Sequence, residues 1–296
     1  MPSKVRFFSR FIYGSLIVLL AVSLWLLFRE KSVFVNTVKI EKGDFEEYLR
    51  VDGVIKSKTK TTVTAFTTGD LERVDLKVGD HLKKGQYIST LKWDFKRTIK
   101  SPVAGVVSKV HRESAGPIQR GEPIIDIIDA DNFEIIAKAL TTDATRVSVG
   151  APVKVTGIGS GELIPAQVVL ISRAGYVETS ALGVEEEKTD IHMKFTQQPK
   201  TLIGDNFHTE LFIKVYEAKN VLKIPLGALF KDGDTWKVYK VENNKVHAKE
   251  VLIGNKNEKE AILENGLNPE DEVVMFPDDT LKDGAKVKRA DQKQRQ

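Results

Sequence analysis

The chain has 296 residues, 41% of them hydrophobic, and its 45 Lys and Arg against 41 Asp and Glu leave a formal charge of +4. That length predicts two or three domains, with apolar content enough for real cores. Charges of both signs are interspersed and cysteine is absent, which argues against a dedicated nucleic-acid binder and excludes disulfides, thiolate metal sites and a lipid-bearing cysteine.

Residues 11–28, FIYGSLIVLLAVSLWLLF, carry no charge and follow Lys4, Arg6 and Arg10. Coiled as a helix, such a run spans about 27 Å, close to the hydrocarbon thickness of a bilayer. The preceding cations place residues 1–10 in the cytoplasm and everything after the run outside. A cleaved signal peptide competes, with Ala21 and Ser23 as its small-residue pair. The apolar run continues to Phe28 past that pair, so an uncleaved transmembrane anchor is the preferred reading.

Residues 34–40 and 45–51 alternate apolar and polar side chains around Lys42, Gly43 and Asp44, predicting two strands and a turn. Val54 and Ile55 continue outward into a Lys- and Thr-rich approach to Val63. Nothing in this stretch suggests catalysis; it reads as scaffold.

The next segment writes one pattern twice. Gly69, Leu71, Val74, Gly79, Leu82, Gly85, Ile88 and Leu91 are answered by Gly105, Val107, Val110, Gly116, Ile118, Gly121, Ile124 and Ile127. Glycines fall where tight turns need positive φ, and branched residues fall where short strands need an inward face. Two β-units this short must complete one another, since neither buries its apolar face alone. Between them lies KWDFKRTIK, residues 92–100, which predicts a surface turn.

Beyond the repeat, residues 133–139 read as a strand and residues 142–147 as a short helix with a Thr/Asp cap before Gly150. Val153, Val155, Val168, Val169 and Ile171 supply strands around a glycine-rich hairpin turn at residues 157–161. Residues 191–195 and 210–215 alternate cleanly, and together these segments predict a small closed antiparallel barrel. The acidic run at residues 183–188 reads as a solvated loop. Residues 231–234 form a loop, residues 236–241 a strand, and Asn243-Asn244 a hairpin turn. Residues 289–296 form a charged tail.

No catalytic site, cofactor site or metal site emerges. His81, His111, His192, His208 and His247 lack metal-site spacing, and His81 and His111 read as surface turns. No nucleophile elbow, phosphate loop or dinucleotide fingerprint is present. Met1, Met193 and Met275 are too sparse for a methionine-based copper relay. We read no enzyme here.

GDLERVDLKVGDHLKKGQYISTL and SPVAGVVSKVHRESAGPIQRGEPIIDII resemble the two halves of a biotinyl/lipoyl domain. Carrier members of that family bear a modified lysine in the turn between halves, and Lys96 stands near that place. The surrounds typical of biotinylation and lipoylation are both missing. Adding VKIEKGDFEEYLRVDGVI, VLKIPLGALF and ENGLNPEDEVVMFPDDTLKDGAKV, the chain resembles a periplasmic adaptor, or membrane fusion protein, of the HlyD-like family of efflux and secretion systems. The resemblance runs from residue 1 to about residue 288.

It implies a mainly β fold. A transmembrane anchor at 11–28 would lead to a membrane-proximal domain from 33–55 and 220–288. A β-barrel would come from 56–65 and 130–219, and a lipoyl-like sandwich from 66–129. Most members insert a long helical hairpin between the lipoyl halves; thirteen residues, 92–104, leave no room for one here. Docking then falls to the sandwich tip, with Trp93, Phe95, Lys96, Arg97 and Lys100 as candidates. The alternative is that Trp93 and Phe95 cap the sandwich core.

The resemblance further implies a ring, commonly a hexamer, on an inner-membrane transporter, with an outer-membrane channel or another periplasmic protein beyond. Gln119 would face the ring axis. SALGVEEEKTDIHM is similar to adaptors of ABC-type rather than RND-type exporters. A membrane-tethered biotinyl or lipoyl carrier using Lys96 is the alternative function.

Overall fold

The computed structural model describes residues 32–157 and 163–290. Strands follow one another almost without helix. They run β1 (Val33–Lys39), β2 (Glu41–Ser57), β3 (Lys60–Thr64), β4 (Gly69–Leu71), β5 (His81–Leu82), β6 (Tyr87–Lys92) and β7 (Lys96–Lys100). Then come β8 (Gly105–Val110), β9 (Gly116–Ile118), β10 (Pro123–Ile128), β11 (Phe133–Leu140), the single turn α1 (Thr141–Ala144), β12 (Pro152–Thr156), β13 (Ile164–Thr179) and β14 (Glu185–Phe195). The chain closes with β15 (Phe207–Pro225), β16 (Phe230–Asp232), β17 (Thr235–Glu242), β18 (Lys245–Lys256), β19 (Glu260–Asn265), β20 (Glu272–Met275) and β21 (Val287–Arg289). Two compact units result, one within residues 47–216 and the other of the described residues before 47 and after 216.

Within residues 47–216, the twin motifs form two four-stranded sheets, ordered β3-β10-β8-β5 and β7-β6-β4-β9. Each sheet mixes the copies: β5 of the first pairs with β8 of the second, and β4 of the first with β9 of the second. The halves are therefore interlocked, because each copy lends the other a strand. Leu71, Val74, Leu82, Ile88 and Leu91 meet Val107, Ile118, Ile124 and Ile127 in one core. Each such side chain contributes about 1.5–3 kcal/mol by leaving water. Val63 belongs to that core and β3 pairs with β10, so the sandwich starts before residue 66 and takes residues expected in the barrel.

The same unit holds a barrel in the order β12-β13-β14-β11-β2-β15, closed by β12 on β15. Ile55, Ile135, Met193 and Val168 lie in register on successive strands and are all buried, forming one layer of its interior. Ile55 is thus barrel core, and the expected membrane-proximal segment 33–55 ends earlier, at Glu46.

The expected turn at Lys42, Gly43 and Asp44 is absent: β2 runs straight through it and the break falls at Ile40. Gly43 lies under the Lys223 side chain, where a Cβ would meet Cε at 3.0 Å. Glu185, Glu186 and Glu187 are paired with Thr179, Glu178 and Val177, so the expected acidic loop is the start of a strand. The expected helix at 142–147 is the single turn α1, which has no side-chain cap.

In the other unit β19, β18, β17, β20, β1 and β21 follow one another, with β16 on β17. β1 pairs antiparallel with β20 and parallel with β21, which joins the first and last described strands. Asn243 and Asn244, at φ 49° and 60°, turn β17 into β18 as the sequence predicts. Arg289 lies in β21 and forks onto Glu272, so the tail starts later than residue 289.

The expected anchor at 11–28 and the tail residues 291–296 lie outside the described residues, as do residues 158–161 of the glycine-rich turn. Among the described residues no helix is long and apolar enough to cross a membrane.

Candidate functional site

Between the two copies stands a tight β-hairpin in place of helices. β6 and β7 pair as far as Lys92↔Lys96, leaving only Trp93, Asp94 and Phe95 outside the strands. Lys96, Arg97 and Lys100 are therefore strand residues, where the sequence predicted a turn. Trp93 and Phe95 are 66% and 57% exposed, so neither caps the core. The Arg97 guanidinium lies 4.5 Å from the Phe95 ring centre and 6.0 Å from that of Phe66, itself exposed. This geometry holds a cation against two aromatic faces.

Glu72 lies beside the tip, with Lys92 Nζ at 3.2 Å and Lys96 Nζ at 3.6 Å. The hydrogen bond from Lys92, with a further one from Thr90, holds the Glu72 carboxyl below its usual range.

The tip has a twin at the root of the module. Trp93 N–H donates to the Phe95 carbonyl at 3.5 Å, and Asp129 N–H donates to the Thr59 carbonyl at 3.0 Å where the chain joins the barrel. Root and tip are equivalent ends of a duplicated fold.

Gln119 sits in the β9–β10 turn, exposed, and its N–H donates to Glu122 Oε2 at 3.1 Å. The matching turn of the first copy repeats this closure, with Lys83 N–H donating to Gln86 Oε1 at 2.9 Å. Gln119 is at a separate turn from the tip residues.

Sequence reasoning missed one cluster. Asp126 is buried in β10 at 4% exposure, where Thr62 Oγ1 donates to Oδ1 at 2.7 Å. Oδ2 meets His111 Nε2 at 3.1 Å and Lys60 Nζ at 3.3 Å. Burial alone would raise its pKa; the hydrogen bonds from Thr62, His111 and Lys60 outweigh it and leave the carboxyl below the ordinary range. His111 lies in an exposed bend, as the sequence predicted, and its ring also partners a buried carboxylate. The signal was a lone Asp inside the apolar run PIIDII.

On the barrel, Tyr176 donates to Asp190 at 2.7 Å, and burial beside that carboxylate pushes the phenol up to about 12. A groove of about 450 Å³ is lined by Arg50, Asp52, Lys138, Lys188 and His208 with neighbours. Its Arg50, Lys138 and Lys188 are already paired, to Glu210, Glu178 and Glu186. Among the described residues no group of three or more His, Cys, Asp and Glu is placed to hold a metal.

Two families match parts of this chain. Residues 59–127 match the biotin/lipoyl family described as "Biotin-requiring enzyme". Residues 221–289 match the family described as "YknX, C-terminal permuted SH3-like domain". The putative efflux system component YknX of Bacillus subtilis (strain 168) is 25% identical over 201 residues, 64% of this chain and 51% of that protein. The macrolide export protein MacA of Escherichia coli O157:H7 is 25% identical over 191 residues, 62% of this chain and 49% of MacA. The chain thus spans about half the length of these curated relatives.

The crystal structure of MacA from Actinobacillus actinomycetemcomitans superposes with a TM-score of 0.63 at 16% identity, covering 81% of this chain and 99% of that one. That likeness is one of fold.

The described residues thus comprise an interlocked lipoyl-like sandwich, a six-stranded barrel and a β domain that rejoins the two ends of the described chain. In its matched segments the chain is similar to the efflux component YknX and the export protein MacA, here with a short hairpin and no helices between its lipoyl-like halves.

Proposed function

We propose that this protein is an inner-membrane-anchored adaptor subunit of an efflux or export complex, single-pass, with residues 1–10 cytoplasmic and the bulk periplasmic. It assembles as a ring, a hexamer by resemblance, on an inner-membrane transporter and links it towards the outer envelope. The substrate-moving machinery belongs to the transporter; the adaptor contributes geometry.

The out-and-back path of the chain carries this reading. β1 returns to pair with β20 and β21, while the duplicated motif completes itself at the far point of the excursion in sequence. Such a path suits a spacer that starts and finishes beside a membrane. The names of the relatives, an efflux system component and a macrolide export protein, support the export role. An ABC-type transporter is preferred over an RND-type one on the similarity of SALGVEEEKTDIHM to adaptors of that group. The exposed tip of Trp93, Phe95, Lys96, Arg97 and Lys100 is the docking surface for an outer-membrane channel or another periplasmic protein, and Gln119 faces the ring axis.

Chemical crosslinking of the full-length protein in its native membrane, followed by copurification, tests the proposal. Multimers carrying one transporter are expected. Monomer alone, with no membrane partner, refutes it.

A further inference from the structure

We infer that the end of the β1–β20 pair at which β1 begins rests on a lipid surface, with Phe34 and Phe276 set into the headgroup layer. The inference rests on the anchored reading of residues 11–28.

Phe34 and Phe276 are 70% and 75% exposed. They share one end of the unit: the antiparallel register Asn36↔Met275 puts the first residues of β1 beside the residue that follows β20. Phe276 adopts φ 50°, whereas four of the other five non-glycine residues described at positive φ are asparagines. A bulky side chain in the left-handed region is a strained outlier and points to a functional demand. Its N–H donates to the Gly227 carbonyl at 2.6 Å. The ring lies over Gly227, where a Cβ would come within 2.5 Å of Cε1. A hydrogen bond and a glycine thus hold the strained turn in place, yet the ring stays in solvent. Simple burial does not account for that.

Chain length selects lipid as the occupant. Phe34 follows Phe28, the last residue of the apolar run, by six steps, a reach of at most about 20 Å. Aromatic rings flanked by lysines suit the interfacial layer. Lys288 pairs in register with Phe34, and Lys245 bridges to Lys286 at the same end. The nearby Asp278 is already engaged by Thr280, whose N–H and hydroxyl donate to it at 2.9 and 2.6 Å.

The chain contains no cysteine, so Phe276→Cys and Phe34→Cys can each carry a single polarity-sensitive fluorophore in the full-length protein. Val78→Cys, at a 66% exposed position in the other unit, supplies the reference. Each is reconstituted into phosphatidylcholine–phosphatidylglycerol vesicles and floated. Lipid contact predicts blue-shifted emission at 276 and 34, quenched more by headgroup-level than by deep acyl nitroxide lipids, with neither effect at 78. Protein that floats, yet shows unshifted and unquenched labels, overturns the lipid contact and leaves the anchor standing. A blue shift without nitroxide quenching assigns the patch to a protein partner and likewise overturns it. Protein that fails to float removes the anchored reading and this inference together. Phe34 occupies a relaxed strand position, so its label decides the matter if the cysteine at 276 alters the turn.

Discussion

Gly69 and Gly105 occupy equivalent places in the two copies, and a methyl group added to either meets the same obstacle. A Cβ on Gly69 would lie 2.3 Å from the Lys92 carbonyl oxygen, and one on Gly105 2.3 Å from that of Ile128. Comfortable carbon–oxygen contacts begin at about 3.3 Å, so the strand must retreat by about 1 Å. At β4 the retreat strikes the pairs Asp70↔Lys92 and Leu71↔Leu91. One or two weakened backbone bonds cost about 1 kcal/mol each, and disturbed packing adds about 1 more.

Gly69→Ala and Gly105→Ala should therefore each destabilise the sandwich by about 2–3 kcal/mol. Gly85 and Gly121 are the internal references. They sit at φ 83° and 87° with nothing within 4 Å of an added Cβ, so Ala there costs only left-handed strain, about 1–2 kcal/mol. Hydrogen–deuterium exchange of the whole chain, read on peptides from β6, β8 and β10, separates the sandwich from the barrel and the rest of the chain. The larger effect corresponds to about 30- to 140-fold faster exchange, with barrel peptides unchanged. If only one of the two substitutions accelerates exchange, or the reference glycines prove costlier, the symmetry argument fails.

Acidification should loosen the same module. The Asp126 carboxyl is held below its usual value, so its contribution is full above the unfolded-state pKa, near pH 4, and is lost as pH falls through the lower folded value. Asp126→Asn should flatten that acid limb in pH-dependent exchange and lower stability at neutral pH by about 1–3 kcal/mol. Trp93→Ala should abolish crosslinks to the outer partner while the thermal unfolding profile stays that of the wild type; retained crosslinks would remove the tip from docking. Tyr176→Phe should remove the alkaline loss of barrel stability, which sets in as pH rises from the ordinary phenol range towards about 12, as followed by circular dichroism. Asn244→Gly should be neutral or slightly stabilising and Asn244→Val destabilising by about 1–2 kcal/mol in thermal melts, because φ 60° suits only the former.

The sequence exposed its glycine punctuation and its alternation plainly, and these carried the mainly β fold, the sandwich and the barrel. Short-range composition rules failed where pairing with another segment decides. Lys42-Gly43-Asp44 has turn composition, but Lys223 reaches over Gly43 to the Asp44 carbonyl and the strand continues. Glu185 to Glu187 look like a solvated loop until Val177 to Thr179 pair with them. The pairing of Asp126 with His111 and Lys60 was illegible for a similar reason. Its partners lie on different strands, and no spacing along the chain brings them together before the sandwich closes. At the tip the residue types were readable, while their orientation was not, since exposure of Trp93 and Phe95 depends on a hairpin ending at Lys92↔Lys96.

The equivalence of root and tip has a consequence for how such a module accommodates guests. At the root, adjacent strand ends already tether a whole barrel through the chain on either side of Thr59 and Asp129. At the tip, paired Lys92 and Lys96 present the same kind of gateway about 5 Å wide. A foreign segment of any length could be spliced in at Asp94 provided its own ends meet, leaving the interlocked core untouched. Loss or gain of an extension at that gate would then change the reach of the protein without requiring its scaffold to be rebuilt.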